Sequence, residues 1–149
     1  MIENVKVFRN ACKNVRIYLN SIKKLQIMMS MIIEMKSCSL TDQFQSDIKP
    51  LNQYENCYEL MQLYYKYVHW VYTIINKVPT PYYQQVVHEL FILKSLKGKI
   101  GKMLDCTNQS IYNECKTQLQ KVITDDDIVT IRKLKQDINE KEKLIGKGN

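Results

Sequence analysis

Apolar residues recur at intervals of three and four along most of this chain, which is the spacing of one buried face of an α-helix. The first stripe predicts a helix in the opening part of the sequence; its members are Val5, Phe8, Cys12, Val15, Leu19 and Ile22. Beyond Leu25 the pattern weakens into a Met-rich run, Ile27 to Met35, which either continues the helix or forms an irregular connection packed on the core. Ser37 to Gln53 contains Ser, Thr, Asp and Pro and predicts a long loop with one short helical turn.

Two more helices are predicted on either side of a proline-containing turn. The second spans about Glu55 to Asn76 and ends at Lys77-Val78-Pro79, because a residue that precedes proline is disfavoured in the helical region. Thr80 is then a suitable N-cap with Pro81 at the first helical position, and the third helix runs to about Leu104. The inward positions of these two helices are Leu60, Leu63, Tyr64, Tyr67, Val71, Ile74, Ile75, Val86, Val87, Leu90, Leu93, Leu96, Ile100 and Met103.

A short fourth helix and a longer last helix complete the pattern. Thr124 and Asp127 have the spacing of a capping box, and the acidic run Asp125 to Asp127 suits the positive end of a helix. The apolar positions of the two helices are Ile111, Cys115, Leu119 and Val122, and then Ile128, Ile131, Leu134, Ile138 and Ile145. The sequence therefore predicts an all-α, single-domain bundle of about five to six helices over residues 1–149, and its four Gly and three Pro are too few for the turns of an all-β fold.

Charge and hydropathy narrow the classes of partner. The net charge of +7 either marks a surface for nucleic acid, heparin-like glycans or an acidic protein, or comes from Lys and Arg that coat the polar faces of helices. No run of five basic residues occurs, so we expect no nucleic-acid partner.

The longest apolar stretch, Leu25 to Met35, is interrupted by Gln26, Ser30 and Glu34 and is too short to insert across a membrane. No signal peptide is visible after Met1, as in a cytosolic protein or a mature secreted one.

Signs of catalysis or of a cofactor are weak. His69 and His88 each lie within an apolar helix and are expected at buried or boundary positions. The acidic run Asp125 to Asp127 is better explained by helix capping than by a metal site, and Trp70 is expected in the core or facing a receptor. The sequence contains no phosphate loop, zinc-protease motif or nucleophile elbow. We expect no enzyme, no metal and no cofactor.

The five cysteines suggest a disulfide-bonded protein. Antiparallel second and third helices would bring Cys57, near the start of one, close to Cys106 and Cys115, which follow the other. Disulfides indicate an oxidising compartment, whereas buried reduced thiols are the alternative. Asn108-Gln109-Ser110 is a glycosylation sequon in a predicted surface loop.

Several segments of the chain match the motifs of one family of helical proteins. They are Ile48-Lys49-Pro50 followed by Cys57, Leu60, Leu63, Tyr64 and Val68; Thr80 to Cys106 followed by Cys115; Asn4-Val5, Phe8-Arg9-Asn10 and Val15-Arg16; and Asp127-Ile128. Together these segments resemble the interleukin-10 family of helical cytokines, most nearly its interleukin-19/20/24 branch. In the order given they are similar to the family's cysteine-headed helix, to the helix and cysteine that follow it, to its first helix and to its last helix. The last helix lacks the family's Gly-Glu pair and tryptophan, and Cys12 stands at a buried apolar position.

The resemblance implies a secreted, disulfide-stapled ligand that bridges two class II cytokine receptor chains. It implies a bond between Cys57 and Cys115, which leaves Cys38 as the available partner of Cys106. Carried over by position, the receptor-binding candidates are Lys6, Arg9, Lys13, Arg16, Lys49, Arg132 and Lys135, each of which could equally be a solvated surface charge. The short turn at Pro79 to Pro81 favours a monomer over an intertwined dimer.

The composition rich in Lys, Ile, Asn and Tyr is that of an AT-rich coding sequence, which fits a viral mimic of a host cytokine. Two other interpretations stay open from the sequence. An intracellular viral helical bundle, such as a Bcl-2-like inhibitor that binds a host protein in a groove, is the main alternative. A basic helical nucleic-acid binder is the weakest of the three.

Overall fold

Five α-helices, joined in sequence, form the part of the protein that a computed structural model describes, residues 2–38, 48–93 and 108–147. The helices are α1 (Ile2–Cys38), α2 (Ile48–Lys77), α3 (Pro81–Val87), α4 (Asn108–Val122) and α5 (Asp125–Lys147). A π-helical turn, His88–Ile92, continues α3. These residues contain no strand, so the predicted all-α class is confirmed, with a helix count of five.

The longest helices pack side by side with alternating direction. Asn14 and Phe8 of α1 contact Tyr67 and Trp70 of α2, an order that makes the two helices antiparallel. Ion pairs fasten α2 to α5 at two levels: Lys77 with Asp127 at 3.1 Å, and Glu59 with Lys141. Because the low-numbered residue of α2 meets the high-numbered residue of α5, these two helices are antiparallel as well.

One continuous core links all five helices. The stripe on α1 follows the predicted spacing with one exchange: Tyr18 is buried at 3% exposure, and Leu19, predicted to face inward, is 37% exposed. The stripe continues through Ile22 and Leu25 to Met29. Buried side chains of the other helices and of the π-helical turn are Cys57, Leu60, Tyr64, Tyr67, Val68, Trp70, Val71, Ile74, Ile75, Val86, Val87, Phe91, Ile92, Ile111, Tyr112, Cys115, Leu119, Ile128, Ile131 and Ile138.

The loop predicted from Ser37 to Gln53 is partly wrong. Helix α1 continues through the Met-rich run to Cys38, and α2 begins at Ile48, so residues 48–53 are helical. Pro50 is compatible with this because it occupies the first turn of α2, where a backbone N–H has no helical acceptor in any case. Residues 39–47 lie outside the described residues, as does the part of the predicted third helix from residue 94 to residue 104.

The helix starts predicted at Thr80 and Thr124 are confirmed. Thr80 is extended, with φ −115° and ψ 137°, and its hydroxyl accepts a hydrogen bond from the Tyr83 amide at 3.4 Å. Thr124 accepts from the Asp127 amide at 3.1 Å, and the Asp127 carboxylate accepts from the Thr124 amide at 3.0 Å. This reciprocal pair fixes where α5 begins and therefore where its basic residues face.

Candidate functional site

Four of the predicted receptor-binding residues share one exposed face of α1. Lys6, Arg9, Lys13 and Arg16 follow one another at intervals of three and four, and all four side chains are exposed. Among the described residues, none of them forms an ion pair with a carboxylate. The N-terminal half of α1 therefore presents a basic face whose charges are not neutralised by a described ion pair, and we call it the α1 basic face.

Arg9 connects the α1 basic face to α4. Its guanidinium donates a hydrogen bond to the hydroxyl of Tyr112 and lies 5.4 Å from the centre of that ring. The Lys116 ammonium lies 4.4 Å from the same ring centre. Two cations therefore lie against one aromatic ring, a favourable contact for each of them taken singly.

A pocket opens beside this ring between α1 and α4. Its volume is about 380 Å³, and Lys6 lines it together with Arg9 and Lys116. The remaining lining residues are Val5, Tyr112, Asn113, Thr117 and Gln120. Within the described part of the chain no Asp or Glu lines this space, which we call the α1–α4 pocket. It combines three cations with uncharged hydrogen-bonding side chains, the composition of an anion site.

Lys135 lies elsewhere, against the other side of α1. It is half-buried, donates a hydrogen bond to the hydroxyl of Tyr18, and lies 5.1 Å from that ring centre. Arg132, one turn earlier on α5, is exposed. The structure thus separates the predicted residues into the α1 basic face and an α5 pair. Lys49 is in the first turn of α2, and its side chain lies outside the described residues.

Tyrosines join the three long helices behind the α5 pair. Tyr18 stacks on Tyr64 with ring centres 4.7 Å apart and meets Tyr67 edge-on at 4.9 Å. Asn14 donates to the Tyr67 hydroxyl at 3.0 Å, and the Tyr64 hydroxyl donates to Glu142. Burial, aided by the charge of Glu142, raises the pKa of Tyr18 to about 12. These phenols therefore stay protonated at neutral pH and serve as hydrogen-bonding members of the core.

The cysteines correct the disulfide expectation. Cys12, Cys57 and Cys115 are buried free thiols. Cys57 packs beside Met28 and Met35 near the end of α1, whereas Cys115 belongs to α4, which meets the start of α1 at Arg9. These levels are roughly 30 Å apart along α1 at 1.5 Å per residue, and a disulfide requires Cα atoms within about 7 Å. The implied bond between Cys57 and Cys115 is therefore wrong for this fold, because α4 packs where α2 ends rather than where it begins.

The remaining predicted sites are Cys38, Cys106 and the glycosylation sequon. Cys38 is the last residue of α1, with its side chain outside the described residues, and Cys106 lies outside them altogether. Asn108-Gln109-Ser110 forms the first turn of α4 rather than a loop, and Ser110 is exposed. Burial raises the pKa of the Cys115 thiol to about 12, with a further contribution from Glu114, and burial also raises the pKa of Cys12.

The histidines occupy surface and boundary positions. His69 is exposed, contrary to the expectation that it is buried or at a boundary. His88 is half-buried, at the start of the π-helical turn, and its Nε2 is 3.1 Å from the Tyr72 hydroxyl. The described residues contain no group of three or more His, Cys, Asp or Glu that could hold a metal ion. Trp70 is in the core, which is one of its two predicted placements, and its indole nitrogen has no hydrogen-bond partner among the described residues.

A second surface feature lies at the other end of α1. Past Met29 the described side chains of this helix are no longer buried, and Met31 and Met35 are 54% and 68% exposed. Together with Met28, Cys57 and Leu144 they line an apolar groove of about 190 Å³ between α1, α2 and α5. We call it the methionine groove. Sequence reasoning missed it because the run from Ile27 to Met35 alone does not show which of its faces is covered.

Comparison with known proteins adds no relative. No protein-family model matches the chain, and no curated protein or solved structure shows significant similarity to it. The fold and the surfaces described above therefore carry the functional argument. Within the described ranges, no helix has the length and hydropathy needed to cross a membrane.

Proposed function

We propose that this chain is a secreted cytokine-like ligand that binds class II cytokine receptor chains and brings two of them together, the role that its resemblance to the interleukin-10 family implies. The observation that carries the proposal is the α1 basic face. Four exposed cations follow one helix face without an ion pair to any described carboxylate. Three of them, Lys6, Lys13 and Arg16, make no described hydrogen bond or ion pair within the bundle, and an acidic receptor surface would be attracted to these charges over a long range.

The separation of the basic residues supports a bridging role. The α1 basic face lies beside α4, whereas Lys135 contacts Tyr18 on the side of α1 that meets α5. A ligand that joins two receptor chains needs two contact regions that can be occupied at once. The two sets of cations provide such regions on one rigid bundle.

The proposal keeps only part of the disulfide pattern that the resemblance implies. With Cys12, Cys57 and Cys115 as buried free thiols, a staple would involve only Cys38 and Cys106. Helical packing would then stabilise the ligand mainly through its core. A viral origin, as a mimic of a host cytokine, remains part of the proposal on the ground of composition.

Charge reversal at Arg16 tests the proposal directly. Arg16 is exposed and makes no described hydrogen bond, so Arg16→Glu changes the surface without changing the fold. We expect it to weaken binding to the matching receptor ectodomain about tenfold or more, as loss of a central charged contact does. Lys24→Glu, an equal charge change at an exposed position of the same helix, is the matched control and should have a small effect.

Bridging is measured with soluble ectodomains of candidate receptor chains. A complex that contains the protein and two different chains, detected by light scattering after size exclusion, is the expected result. Failure to bind any class II receptor chain, or equal losses for Arg16→Glu and Lys24→Glu, would contradict the proposal.

The methionine groove favours a second candidate, the intracellular viral bundle that binds a host protein. Met28, Met31 and Met35 are spaced three and four residues apart, and their flexible side chains can adapt to the apolar face of a partner's amphipathic helix. Buried free thiols also fit a reducing compartment. Met31→Glu should abolish capture of pro-apoptotic helical peptides under this alternative and should leave binding to a receptor ectodomain intact under the first.

A further inference from the structure

We propose that the α1–α4 pocket is a binding site for a sulfated glycosaminoglycan, a ligand distinct from the receptor chains. The inference rests on the proposed function in one respect, because such glycans are extracellular partners. Its site includes residues of α4 that the receptor hypothesis does not use.

The chemistry of the pocket selects an anion. The Arg9 guanidinium and the Lys116 ammonium lie 5.4 and 4.4 Å from the centre of one ring, and Lys6 lines the same space. Like charges that line one space repel each other, and no described carboxylate lines the pocket to offset them. A bound sulfate group would offset that repulsion. Arg9 donates to the Tyr112 hydroxyl and retains further guanidinium donors for such a group.

The basic residues around the pocket favour a polymer with repeated anionic groups over a single ion. Lys13 and Arg16 continue from Lys6 and Arg9 along the same exposed face of α1. From Lys6 to Arg16 the face extends about 15 Å along the helix axis. A polymer with repeated sulfates can contact the pocket and this extension together, so that each contact adds to the affinity and releases counterions.

The aromatic ring argues against a nucleic-acid occupant. Proteins that bind single strands combine basic grooves with aromatic faces on which bases stack. Tyr112 is the one aromatic residue that lines the pocket among the described residues, and it is only 8% exposed, with both cations against it. Its ring also packs edge-on against Phe91, with ring centres 6.3 Å apart. It is therefore not free to stack on a base, which favours a sulfated sugar polymer.

Heparin affinity with a paired set of variants tests the site. Lys116→Glu places an anion in the pocket, and Lys121→Glu makes the same charge change at an exposed position of α4 outside it. We expect Lys116→Glu to raise the Kd for a heparin oligosaccharide about tenfold or more at 0.15 M NaCl, and Lys121→Glu to change it less than about threefold. Lys116→Arg should retain native affinity, and thermal unfolding of each variant shows whether it is folded.

Competing ligands separate the sources of the anion. Chemically desulfated heparin should bind at least about tenfold more weakly than heparin, and single-stranded DNA of equal charge should compete poorly. Equal losses for the two Glu variants, undiminished binding of desulfated heparin, displacement by free sulfate at the same sulfate concentration, or tighter binding of DNA would each overturn the inference. Receptor binding is measured separately. A protein that binds heparin through Lys116 but no receptor chain would refute the receptor proposal and leave the anion site standing.

Discussion

Arg9 on α1 donates a hydrogen bond to the hydroxyl of Tyr112 on α4 and lies 5.4 Å from the centre of its ring. A residue that we propose for receptor binding on the ground of the family resemblance therefore also holds two helices together. Substitution of Arg9 would affect stability and binding at once, so each role has to be tested by substitution of a neighbouring residue.

Removal of the Tyr112 hydroxyl isolates the structural role. Tyr112→Phe keeps the ring and its packing against Phe91 but removes the oxygen that accepts from Arg9. We expect a loss of about 1 kcal/mol in the free energy of unfolding, measured by urea denaturation, because a charge-assisted hydrogen bond is lost. Tyr65→Phe, at an exposed tyrosine, is the control. Equal stabilities of the two variants would show that the bond contributes nothing.

Thiol counting tests the arrangement of the cysteines. Because Cys12, Cys57 and Cys115 are free and buried, the unreduced protein should expose at least three reactive thiols when denatured. In the native state Cys12 and Cys115 should react slowly with a thiol reagent at pH 8, since burial raises the pKa of both and leaves little thiolate. A count of one thiol would contradict the structure and restore the disulfide pattern that the family resemblance implies.

The capping box at the start of α5 should contribute measurably to stability. Thr124→Ala removes the hydroxyl that accepts from the Asp127 amide at 3.1 Å. We expect the free energy of unfolding to fall by about 1 kcal/mol, the usual cost of losing an N-cap side chain. Thr130→Ala, at an exposed position within the same helix, should change it little. A loss at Thr130 as large as that at Thr124 would argue against capping.

The ionisation of Asp127 makes the contribution of the capping box to stability depend on pH. Burial acts to raise its pKa, but the hydrogen bonds from Thr124 and the ion pair with Lys77 outweigh burial and hold the pKa below its ordinary value. A lowered folded-state pKa stabilises the protein above the ordinary carboxyl value, near pH 4, and this stabilisation is lost as the pH falls through the folded value. Wild type and Asp127→Asn should therefore differ in stability at pH 6 and converge towards pH 2. A difference that is independent of pH would refute the assignment.

The helices could be predicted from the sequence, and the arrangement of their chemistry could not. Residue spacing alone gave the stripe from Val5 to Ile22 and the capping box of Thr124. It misplaced Leu19 because two adjacent apolar residues, Tyr18 and Leu19, competed for one inward position, and the larger aromatic ring packs against Tyr64.

The contacts between helices could not be predicted from the sequence. Spacing in the chain did not show that Arg9 of α1 would meet Tyr112 of α4, because that contact joins residues 103 positions apart. The predicted approach of Cys57 to Cys115 failed for the same reason: it assumed a hairpin geometry, and α4 packs at the opposite end of α2. Helix periodicity records which face is buried but not which neighbour buries it.

Cys57 and Cys115 lie at opposite ends of the bundle, so the reactivity of each thiol measures the opening of its own end. Both thiols are fully enclosed in the native state, so each becomes accessible only when its own end opens. Labelling under native conditions, followed by mass mapping, would therefore give two independent opening free energies from one unmodified chain. Occupation of the α1–α4 pocket should slow labelling at Cys115 alone, whereas a helix bound in the methionine groove should slow it at Cys57 alone.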